Sequence, residues 1–250
     1  MIIDCISDLH GHYPKLEGGD LLIVAGDLTA TDTFSGYDQF FKWLEHQKYK
    51  CKIVIAGNHD NLLKSFKDDE KFPEPVCYYC DFGDTEYLCD SGTEFRYYDT
   101  RFPCEDTGFL PSGQRTLKIW GSPWTKRFEG MNPRCMAFTV DTDEELAEKW
   151  ALIPDDVDIL VTHSPPWGIL EEIRDYNTGL KVHVGSPGIT FLTYKRINPK
   201  LHIFGHVHEG YGKKTINEFT NSSLSKTLFV NASHVNERYE PVNPPIRVEL

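Results

Sequence analysis

Short apolar runs alternate with polar turns at the start of the chain. Residues 1–7, 20–26 and 52–56 are rich in aliphatic side chains, which predicts three strands, and the second run is almost wholly apolar, as expected for a strand buried on both faces. Apolar residues between 34 and 47 recur at helical spacing, and residues 61–66 are expected to begin another helix. This order of elements predicts an α/β fold.

The pattern is less regular in the middle of the chain and regular again towards its end. Residues 66–113 are rich in Pro, Gly, Cys and aromatic residues, and we interpret them as an elaborated loop region with a hairpin, formed by strands near 86–89 and 94–98. Two further helices are expected at 142–150 and 187–196. Further strands are expected at 115–120, 157–162, 201–204, 228–230 and 246–249.

Length and composition are those of an ordinary globular protein. With 250 residues, 40% of them apolar and 26% charged, the chain can form one sizeable core, and we expect a single domain over residues 1–250. No apolar run approaches the roughly 18 residues of a membrane helix, and no signal pattern precedes the first strand, so we expect a cytoplasmic protein without a membrane partner. Seven cysteines, an odd number, fit free thiols in a reducing compartment.

The charge of the chain limits its partners. A net charge of −12 argues against an extended nucleic-acid surface, because such surfaces need stripes of Lys and Arg. A small phosphate ester is compatible with this charge, since bound divalent metal ions would supply local positive charge. The sequence leaves open whether the protein is a monomer or a homodimer.

Polar side chains that can bind metal ions follow five of the predicted strands. In an α/β sheet the carboxyl ends of neighbouring strands can meet at one edge, so residues far apart in sequence are expected to form one cluster. Gly57 precedes two of them, and its missing β-carbon would let the following side chains point past the strand end. The residues are Asp8, His10, Asp27, Asn58, His59, His163, His206 and His208.

Seven of these residues form a candidate ligand set for two metal ions. Oxygen and nitrogen donors without a thiolate favour Mn, Fe, Co or Zn over a structural zinc held by cysteines. Seven ligands are too many for one ion, and they suit a pair of divalent ions about 3.5–4 Å apart that holds both oxygens of a phosphoryl displacement. Asn58 taken alone could instead be a helix N-cap. The set is Asp8, His10, Asp27, Asn58, His163, His206 and His208.

The order of the motifs resembles that of the calcineurin-like metallophosphoesterase superfamily. The resemblance covers nearly the whole chain and extends to the metallophosphoesterase-domain-containing subfamily, a class III phosphodiesterase-like group. It implies a four-layer α/β/β/α sandwich. The motifs are Asp8-x-His10, Gly26-Asp27, Gly57-Asn58-His59-Asp60, Thr162-His163 and Gly205-His206-x-His208.

The resemblance also implies a role for each site residue. Asp8, His10 and His208 would hold the first ion. Asn58, His163 and His206 would hold the second. Asp27 would bridge the two ions. His59 would face the scissile phosphate, and Asp60 would orient His59 or support the ligands from behind.

The expected reaction is hydrolysis of a phosphate ester by metal-activated hydroxide. Asp27 is followed by Leu28 rather than by the Arg of the protein Ser/Thr phosphatases, which disfavours a phosphoprotein substrate. We expect a phosphodiesterase that acts on small phosphodiesters or cyclic nucleotides. A phosphomonoesterase, and a non-catalytic scaffold that retains the fold, are the alternatives. Trp124, beside a motif, could stack a base of the substrate, although core packing is the more common role of such a residue.

Overall fold

Two β-sheets form the centre of the computed structural model, which describes residues 1–68, 83–98, 113–127, 131–175, 178–216 and 226–250. The first sheet contains β1 (Ile2–Ile6), β2 (Gly19–Ala25), β3 (Tyr49–Ile55), β4 (Thr85–Tyr87) and β15 (Ile246–Glu249). Its spatial order is β15–β1–β2–β3–β4. β1 to β4 run parallel, and β15 runs antiparallel to β1 at one edge.

The second sheet has six strands. They are β5 (Ser91–Tyr98), β6 (Gln114–Ser122), β9 (Ile159–Thr162), β12 (Leu201–Phe204), β13 (Gly212–Ile216) and β14 (Thr227–Asn231). Their order is β13–β14–β12–β9–β6–β5, with four central parallel strands and an antiparallel strand at each edge. The two-stranded sheets are β7 (Thr125–Lys126) with β8 (Thr139–Val140), and β10 (Glu172–Arg174) with β11 (Lys181–His183).

The helices of the described chain lie close to where the sequence predicts them. They are α1 (Phe34–Glu45), α2 (Asn61–Asp68), α3 (Asp143–Ala151) and α4 (Pro187–Arg196), together with a 3₁₀ turn at His208–Gly210. A capping box fixes the start of α3, because Thr142 Oγ1 accepts a hydrogen bond from Glu145 N at 3.2 Å and the Glu145 carboxylate accepts one from Thr142 N at 3.1 Å.

Alternate residues of the strands face two different layers. In β2, Leu21 and Ile23 belong to the buried cluster that the first sheet shares with the second. Leu22 and Val24 point the other way and belong to the cluster that contains the apolar residues of α1. Leu160 of β9 lies in that cluster with residues of α3 and α4. The strands are therefore buried on both faces, and the protein is a single-domain α/β sandwich with helices outside each sheet.

The predicted hairpin within residues 66–113 is wrong in its pairing. β4 and β5 lie in different sheets: β4 pairs in parallel with β3, whereas β5 pairs antiparallel with β6. Asp90, which lies between them, has a left-handed backbone with a φ of 48°, and the chain changes sheets there. Residues 69–82 and 99–112 of this region lie outside the described residues.

Two further expectations concern membranes and thiols. None of the helices in the described ranges combines the length and the apolar character that crossing a bilayer requires. Four of the seven cysteines fall in the described ranges, and all four are free thiols: Cys5, Cys51, Cys89 and Cys135. The other three, Cys77, Cys80 and Cys104, lie outside those ranges.

Candidate metal centre

The predicted metal-binding residues lie at one edge of the sandwich. β1, β2 and β3 are neighbours in the first sheet, and β9 and β12 are neighbours in the second. β1, β2 and β3 run parallel to one another, as do β9 and β12, so within each sheet their carboxyl ends lie at the same edge. Contacts between the two sheets, such as those of β2 with β9 and β12, bring the two sets of strand ends together.

Three overlapping groups of side chains could each hold a cation. In each group, one ligand atom of every residue lies within 4.8 Å of the others. Asp8, Asp27 and His163 are almost completely buried, so their polar atoms face one another rather than solvent. The groups are Asp8 with His10 and His208, His10 with Asp27 and His59, and Asp8 with Asp27 and His163.

Asn58 and His206 lie beside these groups. Asn58 Oδ1 is 3.0 Å from His163 Nε2, so the amide oxygen points into the cluster. The ring of His206 lies next to that of His163, with 5.1 Å between the centroids, and His206 N donates to both carboxylate oxygens of Asp8 at 3.1 Å. Helix α2 begins at Asn61, so Asn58 is not its N-cap.

Two histidines are oriented by the backbone. Nδ1 of His163 lies 2.9 Å from the carbonyl oxygen of Ala25, and Nδ1 of His208 lies 3.1 Å from that of Asn236. A carbonyl oxygen only accepts hydrogen bonds, so Nδ1 must carry the proton in each ring. Nε2 of each ring is then the atom directed into the cluster, where a bound cation would take the place of its proton, the arrangement by which proteins orient metal-binding imidazoles.

One buried nitrogen in the cluster, Nε2 of His10, lacks a hydrogen-bond partner among the described residues. His10 is 7% exposed. The nearest carboxylate oxygen recorded for it, Asp27 Oδ2, is 3.7 Å away, which is too far for a hydrogen bond. A buried, unpaired imidazole nitrogen is costly unless another group satisfies it. A divalent cation would do so, and the donor set therefore fits a metal centre.

The electrostatics of the cluster also fit cation binding. Burial opposes the ionisation of Asp27, but the charges of His163 and His59 hold its pKa well below the usual range. Burial lowers the pKa of His10 to about 4 and that of His206 to about 3. Burial also acts against the charged form of His163, but Asp27 outweighs it and the pKa is raised to about 9. Ligands must be ionised carboxylates or neutral imidazoles, so a cation would displace a proton from His163.

Backbone strain is concentrated at the candidate ligands. Asp8, His10, Asp27 and His206 have left-handed backbones, with φ values of 51°, 43°, 56° and 68°. Non-glycine residues rarely adopt this region, and such strain accumulates where function requires a side chain to be aimed. The strand ends are therefore shaped to direct these side chains into the cluster.

Gly57 is required for space. A β-carbon on Gly57 would lie 2.3 Å from Asp27 Oδ1 and 2.6 Å from His163 Cε1. Its φ does not lie in the left-handed region, so glycine is needed here for close approach to Asp27 and His163 rather than for an unusual backbone conformation. The glycine allows the third strand to end against two candidate ligands.

Asp60 connects two of the loops that carry candidate ligands. Its fully buried carboxylate accepts hydrogen bonds from the backbone N–H groups of Gly57 at 2.8 Å, Asp27 at 3.0 Å and Leu28 at 3.2 Å, and from the hydroxyl of Tyr37 at 2.9 Å. These bonds are to the loops rather than to the ring of His59. The contacts thus favour the supporting role over the orientation of His59.

His59 is the more open of the histidines around Asp27. Its side chain is 24% exposed, and its Nε2 lies 3.9 Å from Asp27 Oδ2. Its backbone N–H donates to Asp27 Oδ1 at 2.9 Å, and its ring meets that of His10 edge-on. The side chain is therefore within reach of both the cluster and solvent.

Trp124 packs against residues outside the candidate ligand set. It is 8% exposed, its Nε1 donates to Asp90 Oδ2 at 2.7 Å, and its ring packs edge-on against Phe138. The ammonium of Lys149 lies 4.1 Å from the ring centroid, which is a cation–π contact. This packing favours the core role over base stacking.

Sequence reasoning missed Tyr239. Its ring meets those of His10 and His208 edge-on, with centroids 4.8 and 5.3 Å apart, and lies 6.2 Å from that of His59. Tyr239 is 48% exposed and has a left-handed backbone with a φ of 61°. It comes from a polar segment before β15, where no apolar periodicity distinguishes it. It forms part of the wall around the cluster.

Comparison with known proteins identifies the family. The model of the calcineurin-like phosphoesterase family matches residues 1–210. The chain is 34% identical over 254 residues to human "Metallophosphoesterase domain-containing protein 1", an alignment that covers 98% of this chain and 70% of that protein. It is 30% identical over 254 residues to the UPF0046 protein T07D4.2 of Caenorhabditis elegans, covering 98% of this chain and 59% of that protein.

A solved structure supports the same fold. At 15% sequence identity it aligns with a TM-score of 0.55 over 92% of this chain and 89% of the other chain. The chain belongs to the calcineurin-like phosphoesterase family. Together with the cluster of His and Asp side chains, family membership identifies it as a metal-dependent phosphoesterase, a hydrolase of phosphoric esters.

Proposed function

We propose that the protein is a dinuclear phosphodiesterase that hydrolyses small phosphodiesters, including cyclic nucleotides. The position of Asp27 supports two ions most directly: its Oδ2 lies 3.7 Å from His10 Nε2 and 3.5 Å from His163 Nε2, and a bridging carboxylate must reach the ligands of both ions. The absence of an Arg after Asp27, where Leu28 stands, supports a small ester over a phosphoprotein.

The ligands of the two ions are part of this proposal. Asp8, His10 and His208 would hold one ion. Asn58, His163 and His206 would hold the other. Asp27 would lie between them, and the donor types suit Mn, Fe, Co or Zn. When bound, the ions would lower the pKa of a coordinated water and hold phosphate oxygens.

We assign His59 to the substrate and Asp60 to support. His59 is more exposed than the buried candidate ligands, and it lies beside Asp27, where the ester would bind. Its imidazole could stabilise developing charge on the phosphate or donate a proton to the leaving oxygen. Asp60 acts through the backbone of the loops that carry Asp27 and Asn58, so it is a positioning residue.

An assay with chromogenic esters tests the proposal. We expect the protein loaded with manganese, cobalt or zinc to hydrolyse a bis(4-nitrophenyl) diester faster than the mono-ester, and EDTA to abolish turnover. A panel of 3′,5′-cyclic and 2′,3′-cyclic nucleotides then narrows the substrate. Faster turnover of the mono-ester would make the protein a phosphomonoesterase, and no turnover with any metal or ester would favour the scaffold.

Three variants separate the assigned roles. Asn58→Ala is expected to lower the metal content, whereas His59→Ala is expected to keep both ions and slow turnover. Asp27→Ala is expected to abolish activity. The matched control is His46→Ala, which removes an exposed histidine at the end of α1. Equal metal loss in the Asn58 and His59 variants would contradict the division of roles.

A further inference from the structure

A cavity of about 610 Å³ adjoins the candidate metal centre. It begins at His206 and at Ser164, the residue after His163, and extends between α3 and the β10–β11 hairpin. Its size lies in the range of small-molecule sites. Side chains from α3, from the hairpin and from the segments after β9 and β12 line it, among them Leu146, Pro165, Ile173, Val184 and Val207.

The walls of this cavity expose more apolar than polar surface. No Phe, Tyr or Trp is among its described lining residues, so a nucleobase bound there would have none of these rings to stack against. Aliphatic walls gain free energy by burying apolar carbon, roughly in proportion to the area removed from water. The lining therefore favours an aliphatic group.

The rim of the cavity does not provide a second anion site. Lys126 Nζ lies 3.0 Å from Asp143 Oδ1, and Arg127 Nε lies 3.0 Å from Asp141 Oδ1, so both cations already have acidic partners. Glu209 adds a further negative charge to the lining. A second phosphate would meet a neutral or acidic rim, which disfavours it.

A buried carboxylate fixes one wall. Glu171 is fully buried and accepts hydrogen bonds from the backbone N–H groups of Gly168 at 2.6 Å, Val184 at 2.6 Å and Gly185 at 3.1 Å. Val184 and Gly185 follow β11 and line the cavity. The wall is therefore held in place without a ligand, which lowers the entropy that binding would cost.

We propose that this cavity binds the organic group of the substrate, and that the preferred substrates among small phosphodiesters carry a single phosphate and an aliphatic group. The ester phosphate lies at the metal centre, and the aliphatic chain extends from His206 towards Val184. This inference rests on the proposed function, because it places the phosphate at the candidate ligands. It adds the chemical class of the group that the ester carries.

Alkylphosphonates test the proposal by binding alone. Methyl-, propyl- and butylphosphonate are titrated calorimetrically into the manganese-loaded protein. We expect affinity to rise by up to about fourfold per methylene, or about sixtyfold from methyl to butyl. Val184→Glu, and the milder Val184→Ser, are expected to reduce the ratio of butylphosphonate affinity to methylphosphonate affinity. The matched control Val182→Glu changes a similarly exposed valine of the same hairpin outside the cavity lining and is expected to preserve the ratio.

The ratio of the butylphosphonate affinity to the methylphosphonate affinity reports contacts in the cavity. The charge of an added carboxylate repels both phosphonates at the metal centre equally, so it leaves this ratio unchanged. Affinity that does not depend on chain length in the unaltered protein, or equal loss in the Val182 and Val184 variants, would overturn the proposal. Ester turnover is measured in parallel. Chain-length-dependent binding without turnover would refute the phosphodiesterase and leave the cavity supported.

Discussion

The substitution Asp60→Asn keeps the size of the side chain and is expected to destabilise the protein strongly. Two donors reach each carboxylate oxygen: Gly57 N and Asp27 N at Oδ2, and Leu28 N and the Tyr37 hydroxyl at Oδ1. An amide has one oxygen and one NH₂ group. If the NH₂ group takes the place of Oδ2, the N–H groups of Gly57 and Asp27 both lose their acceptor. If it takes the place of Oδ1, Leu28 N loses its acceptor, whereas the Tyr37 hydroxyl can accept from the amide and donate to Asp32 Oδ1.

The magnitude follows from the number of unpaired donors. Each buried donor left without a partner costs about 1–3 kcal/mol, so one or two of them cost about 1–6 kcal/mol. A domain is stable by only about 5–15 kcal/mol, so the loss is a large fraction of the total. The control Asp38→Asn removes an exposed carboxylate that pairs with Lys42 on α1 and is expected to change stability by less than about 0.5 kcal/mol.

Urea unfolding of the metal-free protein measures the effect without the contribution of metal binding. Burial and the charge of Asp27 raise the pKa of Asp60 to about 7, above its unfolded value of about 3.9, so ionisation of Asp60 opposes folding increasingly as the pH rises towards 7. The measurement is therefore made near pH 5, where the carboxyl group is neutral in the folded protein and removing a buried charge adds little to the effect of Asn. A loss below about 1 kcal/mol relative to the control would refute the assignment of Asp60 as the residue that holds the two loops together.

Three other substitutions probe different parts of the structure. Gly57→Ala places a β-carbon 2.3 Å from Asp27 Oδ1 and is expected to lower turnover about a hundredfold and to reduce the metal content. The control Gly36→Ala, in α1, should change neither turnover nor metal content. Equal activity of the two variants would contradict the steric role of Gly57. Burial lowers the pKa of His202 to about 3, below its value of about 6.5 in the unfolded chain, so its contribution to stability is complete above about pH 6.5 and is lost as the pH falls towards 3. His202→Gln should therefore flatten the decline of unfolding free energy between about pH 6.5 and 4 by up to about 1.4 kcal/mol per unit, and an unchanged slope in urea titrations would count against a buried neutral imidazole. Tyr239→Phe keeps the aromatic ring and is expected to leave kcat/KM within about threefold of the unaltered protein. Tyr239→Ala removes the ring and should raise KM for aryl esters about tenfold at unchanged metal content. Similar kinetics for the two variants would show that the ring is not part of the site.

The sequence predicted the helices and most central strands because their apolar periodicity reports burial directly. It also predicted which edge carries the polar side chains, since each candidate ligand directly follows an apolar run and parallel strands end together. Short strands such as β7, β8, β10 and β11 were missed, because two or three residues carry no period. The pairing of β4 and β5 was wrong, because strand assignment to one of two sheets depends on tertiary packing that periodicity does not encode.

The roles of Asp60, Trp124 and Tyr239 depend on contacts between distant segments. Asp60 bonds to a loop 33 residues away, which no local pattern indicates. Trp124 lies beside a motif in sequence but is enclosed by Phe138 and Lys149 in space. Tyr239 reaches the histidines through a left-handed turn in a polar segment. Proximity to a motif in the sequence therefore suggested Trp124, which packs elsewhere. It gave no indication of Tyr239, whose ring contacts the histidines of the cluster.

The proposed dinuclear centre is tested most directly by an anomalous difference map from manganese-soaked crystals. We expect two peaks about 3.5–4 Å apart with Asp27 between them. One peak should lie among Asp8, His10 and His208, and the other among Asn58, His163 and His206. A single peak, or two peaks that do not share Asp27, would contradict the proposed centre.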